Sequence, residues 1–269
     1  KIAFDPHGVM NPNKIFDTPS LTDNLRYGNK YTTFSPPVKL DWSAEGGFVN
    51  AVEKCNGVGA CRKVNAGAMC PSYQATREEM HSTRGRANTL RSVLSGSLPK
   101  ETLHSKELFE VFSLCVECKS CKSECPSNVD MAKIKSEFLY GYNNKNGTPI
   151  TSRFIGNIHS ISAMTIPLAP IFNFVTGTAA FRFINEKLFG FDRRRKLPPL
   201  VTQTFESWFK KRAPNTTGTR GNIVLFHDTF MNFNHPESGI GATRILESLG
   251  FNVQIADRKC CGRPMISKG

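Results

Sequence analysis

Apolar positions recur with a helical period at four places along the chain. From Arg86 to Leu94 the side chains of Leu90, Val93 and Leu94 share one side. From Leu103 to Leu114 the shared side is Leu108, Phe109, Phe112 and Leu114, and Gly96 and Pro99 separate the two segments. After Pro126, Asn128 or Asp130 can cap a third helix with Met131, Ile134, Phe138 and Leu139 on its apolar face, ending near Asn143. The fourth runs from Pro236 to Leu249 and is closed by Gly250. It lies between a short apolar strand, Asn222–His227, and an alternating one, Phe251–Ala256, so strand, helix and strand predict a βαβ unit of a parallel sheet. Residues 1–16 are turn chemistry (Asp5-Pro6, His7-Gly8, Asn11-Pro12), and residues 17–45, with Pro36-Pro37 and no period, predict an extended linker.

One stretch is apolar without a clear period. From Phe154 to Phe181, 28 residues pass without a Lys, Arg, Asp or Glu, but Pro167 and Pro170 interrupt them and His159 and several hydroxyls dilute them. Crossing a bilayer takes about 20 uninterrupted apolar residues. The expectation is a pair of buried helices packed on the preceding helical domain. The alternative is a membrane-surface or quinone-facing hairpin, because Arg193-Arg194-Arg195-Lys196 follows closely.

The chemistry is concentrated in cysteines. Cys115-Val-Glu-Cys118-Lys-Ser-Cys121-Lys-Ser-Glu-Cys125-Pro126 has the spacing C-x2-C-x2-C-x3-C-P of a bacterial iron–sulfur ligand run, whose fourth cysteine ligates the other cluster of a pair. A partner run lies upstream: Cys55, Cys61 and Cys70-Pro71. The rule pairs Cys115, Cys118 and Cys121 with Cys70, a complete set for a [4Fe–4S] cluster. Cys55, Cys61 and Cys125 make the second set, one thiolate short because Val58 stands three residues after Cys55. That set suits a [3Fe–4S] cluster, or a [4Fe–4S] cluster with water or another residue such as His81 on the fourth iron. Eight residues separate Cys61 from Cys70 where three are usual, so this loop must bulge. Structural zinc is the rival reading, but it favours two separated C-x2-C pairs.

Composition narrows the setting. With 39% hydrophobic and 21% charged residues in 269, the chain is globular and not disordered. Nine cysteines, seven of them in cluster spacing, point to a reducing compartment, hence cytoplasmic, and against a secreted disulfide framework. The chain starts at Lys1 without an apolar leader and stops at Lys268-Gly269, which reads as a piece of something longer. The net charge of +13 is uneven: Arg182 to Arg212 holds nine Lys or Arg against three acids. Such a face suits an acidic redox partner, anionic headgroups at the inner side of a membrane, or simple solvation. A nucleic-acid partner is not expected, because the single-cluster spacing of such enzymes is missing.

These residues together resemble a family. The segment from Cys55 to Arg91, with Met69-Cys70-Pro71-Ser72-Tyr73 and His81-Ser82-Thr83-Arg84-Gly85-Arg86-Ala87-Asn88, is similar to the iron–sulfur half of FAD-linked oxidases fused to a ferredoxin module. So are Cys115 to Lys133 and Cys260-Cys261-Gly262-Arg263-Pro264. Fused members include D-2-hydroxyglutarate and D-lactate dehydrogenases. The iron–sulfur subunits of glycolate oxidase and anaerobic glycerol-3-phosphate dehydrogenase are also similar. Locally, C-x5-C around Val58 resembles the [3Fe–4S] site of the succinate dehydrogenase iron–sulfur subunit.

The resemblance implies several further things. Phe4-Asp5-Pro6-His7-Gly8-Val9-Met10-Asn11-Pro12-Asn13-Lys14 is similar to the D-P-x-G-x-x-N-P-G-K end of a flavin domain, with Asn13 in place of Gly. The flavin and substrate sites would lie upstream. Cys260 and Cys261 are candidate ligands in a cysteine-rich domain, although relatives carry a cysteine where this chain has Thr229.

The expected fold is mainly α: the end of an FAD-linked oxidase domain (1–16), a linker (17–45), an α-helical ferredoxin domain with two cluster loops (46–146), a helical, basic connector (147–219) and a truncated α/β cysteine-rich domain (220–269). The expected function is electron transfer from an upstream FAD, which oxidises a D-2-hydroxy acid, through the clusters to a quinone or redox protein. A docking module that binds a membrane or partner is the alternative.

Overall fold

The computed structural model describes all residues except 24, 26, 29, 214–217, 258, 259 and 269. The chain is mainly helical and divides into compact units of residues 1–135 and 136–269, a division that falls inside one helix.

In the first unit, Asp5 organises the N-terminal turn. Its carboxylate pairs with Lys1 and accepts the N–H groups of Val9 (2.8 Å) and Met10 (2.9 Å), and these partners hold it below the usual carboxylate range. Trp42 is buried edge-on against Phe48, with the Lys133 ammonium 4.0 Å above its ring. Helices α1 (Phe48–Glu53), α2 (Pro71–Thr76), α3 (Thr83–Leu94), α4 (Lys106–Ser113) and α5 (Ser120–Glu124) follow, and α6 (Met131–Asn146) begins here.

Side-chain oxygens satisfy the N–H groups that open these helices. Ser82 accepts from Gly85 at 2.8 Å, Ser105 from Leu108 at 3.2 Å, and Asp130 caps α6 by accepting from Lys133 at 3.0 Å. Pro71 sits in the first turn of α2, where its missing N–H costs nothing. Leu90, Val93 and Leu94 of α3 are buried with Val52 of α1 and with Leu108 and Phe112 of α4, as their spacing predicts. Gly85 lets α3 lie against the short turn Glu79–His81; a Cβ there would overlap the carbonyl of Glu79.

The second unit takes the rest of α6, then α7 (Ile150–Gly156), α8 (Ile158–Thr165), α9 (Ala169–Gly177), α10 (Ala179–Phe189) and α11 (Phe205–Lys211). Next come β1 (Asn222–Leu225), α12 (Thr229–Phe233), α13 (Pro236–Ser248), β2 (Asn252–Ile255) and α14 (Arg263–Ile266). The strands pair in parallel with Ile223 opposite Val253, the crossover expected from the sequence, with α12 as an additional turn of helix inside it. Ala169, Leu200 and Phe233 form a small core, with Ile166 and Phe172 against it.

The charge-free stretch departs from expectation. Residues Ile158–Gly177 form 20 consecutive helical residues, long and apolar enough to cross a membrane; an 18-residue stretch within them has a mean hydropathy of 1.4 and is only 11% buried. The prolines do not break it because each falls in the first turn of a new segment: Pro167 in a 3-10 turn at Ile166–Leu168, and Pro170 in the first turn of α9. Nor is it a buried pair of helices, since Met164, Leu168, Ile171 and Phe174 are exposed.

Candidate metal centre

Cys55, Cys61 and Cys125 line one cavity, together with Val58, Met69 and Thr83. Cys55 follows α1, Cys61 sits in a 3-10 turn (Ala60–Arg62), and Cys125 ends α5, so the two cysteine runs meet here. Arg91 of α3, 4% exposed, fixes the first of these: its Nη2 donates to the carbonyls of Glu53 and Cys55, both at 2.9 Å, and Nη1 to the Tyr27 hydroxyl at 2.6 Å. Burial pushes the Cys61 thiol up, and the Arg84 N–H, 3.4 Å from its sulfur, opposes that shift. The Arg84 side chain reaches the Gly57 carbonyl at 3.2 Å and pairs with Glu79 at 2.8 Å.

A second group forms around Arg86, whose side chain is 1% exposed. Its Nη1 lies 3.7 Å from Cys70 Sγ, Nη2 donates to Ser72 at 3.0 Å, and Nε to the Val111 carbonyl at 2.9 Å. The same guanidinium favours the Cys115 thiolate against the burial that raises that thiol. Burial pushes Cys121 up to about 11, opposed by the N–H groups of Met131 and Ala132 at the start of α6 and reinforced by the negative charge of Cys115. Cys118 is exposed, with Ser120 Oγ 3.5 Å away.

Backbone strain gathers at these loops. Cys70, Glu117, Lys119 and Asn128 all have φ between 52° and 62° although none is glycine, each conformation costing about 1–3 kcal/mol. The long loop between Cys61 and Cys70 is exposed over residues 62–68, and Glu124 holds its end: its carboxylate accepts the N–H groups of Ala68 (2.8 Å) and Met69 (3.1 Å). Gly67 has φ +78°, and a Cβ there would overlap Glu124 Oε2. Sequence reasoning missed Arg91 and Glu124; an Arg on a buried helix face, and an acid next to a cysteine, were the available signals.

His81 is not among the residues that line the Cys55–Cys61–Cys125 cavity, and its buried Nδ1 has no hydrogen-bond partner among the described residues. Its carbonyl instead faces Cys70 Sγ (3.2 Å) and Ser72 Oγ (2.8 Å), and its ring lies 3.4 Å from Glu78.

Farther along the chain, Thr229 stands beside the Cys-Cys-Gly motif. Its Oγ1 is 3.4 Å from Cys260 Sγ and 3.3 Å from His159 Nδ1, and the Gly262 N–H points at the same sulfur from 3.4 Å. Cys261 is half-buried.

Among the described residues, no three Cys, His, Asp or Glu side chains converge on a single metal ion. Tetrahedral zinc needs four donors about 2.3 Å or less from one point. Cys55, Cys61 and Cys125 instead line a cavity, and Cys70 lies beside the buried Arg86 guanidinium.

Residues 51–129 match the 4Fe-4S dicluster domain family. The chain is 25% identical to D-2-hydroxyglutarate dehydrogenase of Escherichia coli K12 over 93% of its own length and 29% of the relative's. It is 30% identical to the Pseudomonas putida enzyme of the same name over 66% and 21% of the two chains. It is 32% identical to a component of the anaerobic glycerol-3-phosphate dehydrogenase of Escherichia coli K12 over 40% and 28%. This chain therefore spans less than a third of the length of these relatives. No solved structure matches it. Residues 51–129 are a 4Fe–4S dicluster domain, in a chain homologous to the D-2-hydroxyglutarate dehydrogenases and to that component of anaerobic glycerol-3-phosphate dehydrogenase.

Proposed function

We propose that the chain is an electron relay of an FAD-linked D-2-hydroxy-acid dehydrogenase, the acid being D-2-hydroxyglutarate or D-lactate. Cys70, Cys115, Cys118 and Cys121 would hold a [4Fe–4S] cluster. Cys55, Cys61 and Cys125 would hold a second cluster, [4Fe–4S] or [3Fe–4S]. The observation that carries this reading is the cavity in which Cys125 joins Cys55 and Cys61 from the other cysteine run.

Bound there, the clusters supply one-electron carriers between a two-electron flavin donor upstream and a quinone or redox protein. The chain's own groups set their electrostatics. Arg86, buried between Cys70 and Cys115, offsets thiolate charge, as do the N–H groups of Arg84, Met131 and Ala132 on Cys61 and Cys121. Burial of Cys55, Cys61, Cys70 and Cys121 excludes water from the sulfurs.

Anaerobic iron and acid-labile sulfide quantification with EPR tests the reading. About seven or eight irons per chain are expected from the two ligand sets; zinc without sulfide overturns it.

A second reading concerns place. The exposed apolar residues of Ile158–Gly177 and the basic run Arg193–Lys196 favour peripheral contact with the cytoplasmic face of an anionic membrane. Co-sedimentation with anionic but not neutral liposomes supports it; no co-sedimentation with either sinks it.

A further inference from the structure

We propose that a second cavity, built from residues of the 136–269 unit, is a binding site for a quinone ring. Its volume is about 490 Å3, within the range of roughly 300–1,000 Å3 typical of small-molecule sites. Ile158 and Ile161 of α8, Phe172 of α9, Phe181 of α10, Leu200 and Phe230 form much of its wall. Phenyl faces suit a flat conjugated ring, which they stack upon or meet edge-on.

Four polar residues interrupt this apolar wall, and two of them, Thr165 and Asn234, already donate to the backbone carbonyls of Ile161, Pro198 and Pro199. Ser162 lies on the cavity yet is only 5% exposed, and its hydroxyl has no hydrogen-bond partner among the described residues. The Asn185 amide also lines the cavity without a partner among them. Both donate, and a quinone offers two carbonyl acceptors on a flat apolar frame. An acyl chain would fill the volume but leave both donors unpaired. A carboxylate such as a hydroxy acid would find no cation among the lining residues. The outer side of α8 and α9 is exposed and apolar at Met164, Ile171 and Phe174, a surface across which a lipid-soluble ligand can be exchanged.

As a binding site the cavity stands by itself. As the end of the relay it rests on the function proposed above. Reduction there adds two electrons, delivered one at a time from the reduced clusters, and two protons from water, converting quinone to quinol.

Isothermal titration of the oxidised full chain with decylubiquinone, and separately with dodecanoate, tests the site. One saturable quinone site per chain is expected, with dodecanoate at least tenfold weaker. Filling the cavity by Ile161→Trp abolishes binding, and Ser162→Ala, which leaves the wall's shape nearly unchanged, weakens it about tenfold. Thermal melts of both variants report whether they fold. No saturable quinone binding, dodecanoate binding as tight as quinone, or Ser162→Ala binding as tight as wild type overturns the proposal. The two readings fail separately. A chain that binds quinone but holds no iron keeps the site and loses the relay. One that holds both clusters and binds no quinone does the reverse.

Discussion

Arg86 Nη1 stands 3.7 Å from Cys70 Sγ while Nε of the same side chain is tied to the Val111 carbonyl at 2.9 Å. The cation is thus fixed by backbone and cannot follow solvent. Replacing it by an apolar side chain of similar length, Arg86→Met, removes a unit charge beside the Cys70–Cys115 set. Redox titration followed by EPR should show that cluster's potential move negative by on the order of 100 mV, for a charge about 6 Å away at an effective dielectric constant of about 20. An unchanged or more positive potential would count against the electrostatic role.

Glu124 and Gly67 act as one device. Glu124→Ala frees the N–H groups of Ala68 and Met69, and Gly67→Ala forces a Cβ onto the carboxylate from a left-handed backbone. Each is expected to destabilise the chain by about 1–3 kcal/mol and to lower iron content in purified protein. Denaturant unfolding and iron assay check both; wild-type values in the pair would mean that the loop holds its shape without them.

The proposed exchange of ligands between the two runs makes a sharper distinction. Cys61→Ala should remove the EPR signal of the three-cysteine cluster and leave the other. Cys70→Ala should do the opposite although Cys70 belongs to the same run as Cys61 in sequence. If both variants lose the same signal, each run holds its own cluster.

Removing the metal exposes the thiols to alkylation, and their environments set the order. Cys118 is exposed and should react first with iodoacetamide. Cys121 is buried with its thiol pushed up to about 11, so little thiolate is present at pH 8. Its rate should keep climbing as pH rises towards about 11. Mass spectrometry of peptides quenched over time at pH 8 and pH 10 reads this order directly.

The parts of this molecule that the chain announces are those with short-range rules. Helical spacing locates Leu90, Val93, Leu94, Leu108 and Phe112, and the structure buries all five, whereas Leu114, placed on the same side by its spacing, is exposed just past the end of α4. Alternation around Pro236–Leu249 locates the parallel pair. The cysteine spacing matches the dicluster family over residues 51–129.

Long-range partners were not legible, because neither Arg91 nor Glu124 carries a local mark of the carbonyls or N–H groups it meets. The stretch around Pro167 misled for a different reason. A proline forbids continuation of a helix from its own N–H, but it opens a new turn without penalty, and residues 158–177 exploit that. His81 drew attention as a nitrogen donor, whereas it is the carbonyl that faces Cys70.

Arg91 reaches from α3 to the Cys55 carbonyl on one side and to Tyr27 on the other. The extended segment before α1 is therefore moored to the very loop that presents a thiol, through a single rigid fork. Tyr27 and the Cys55 carbonyl are thus held in register by one guanidinium, and a displacement of either must break or carry that fork.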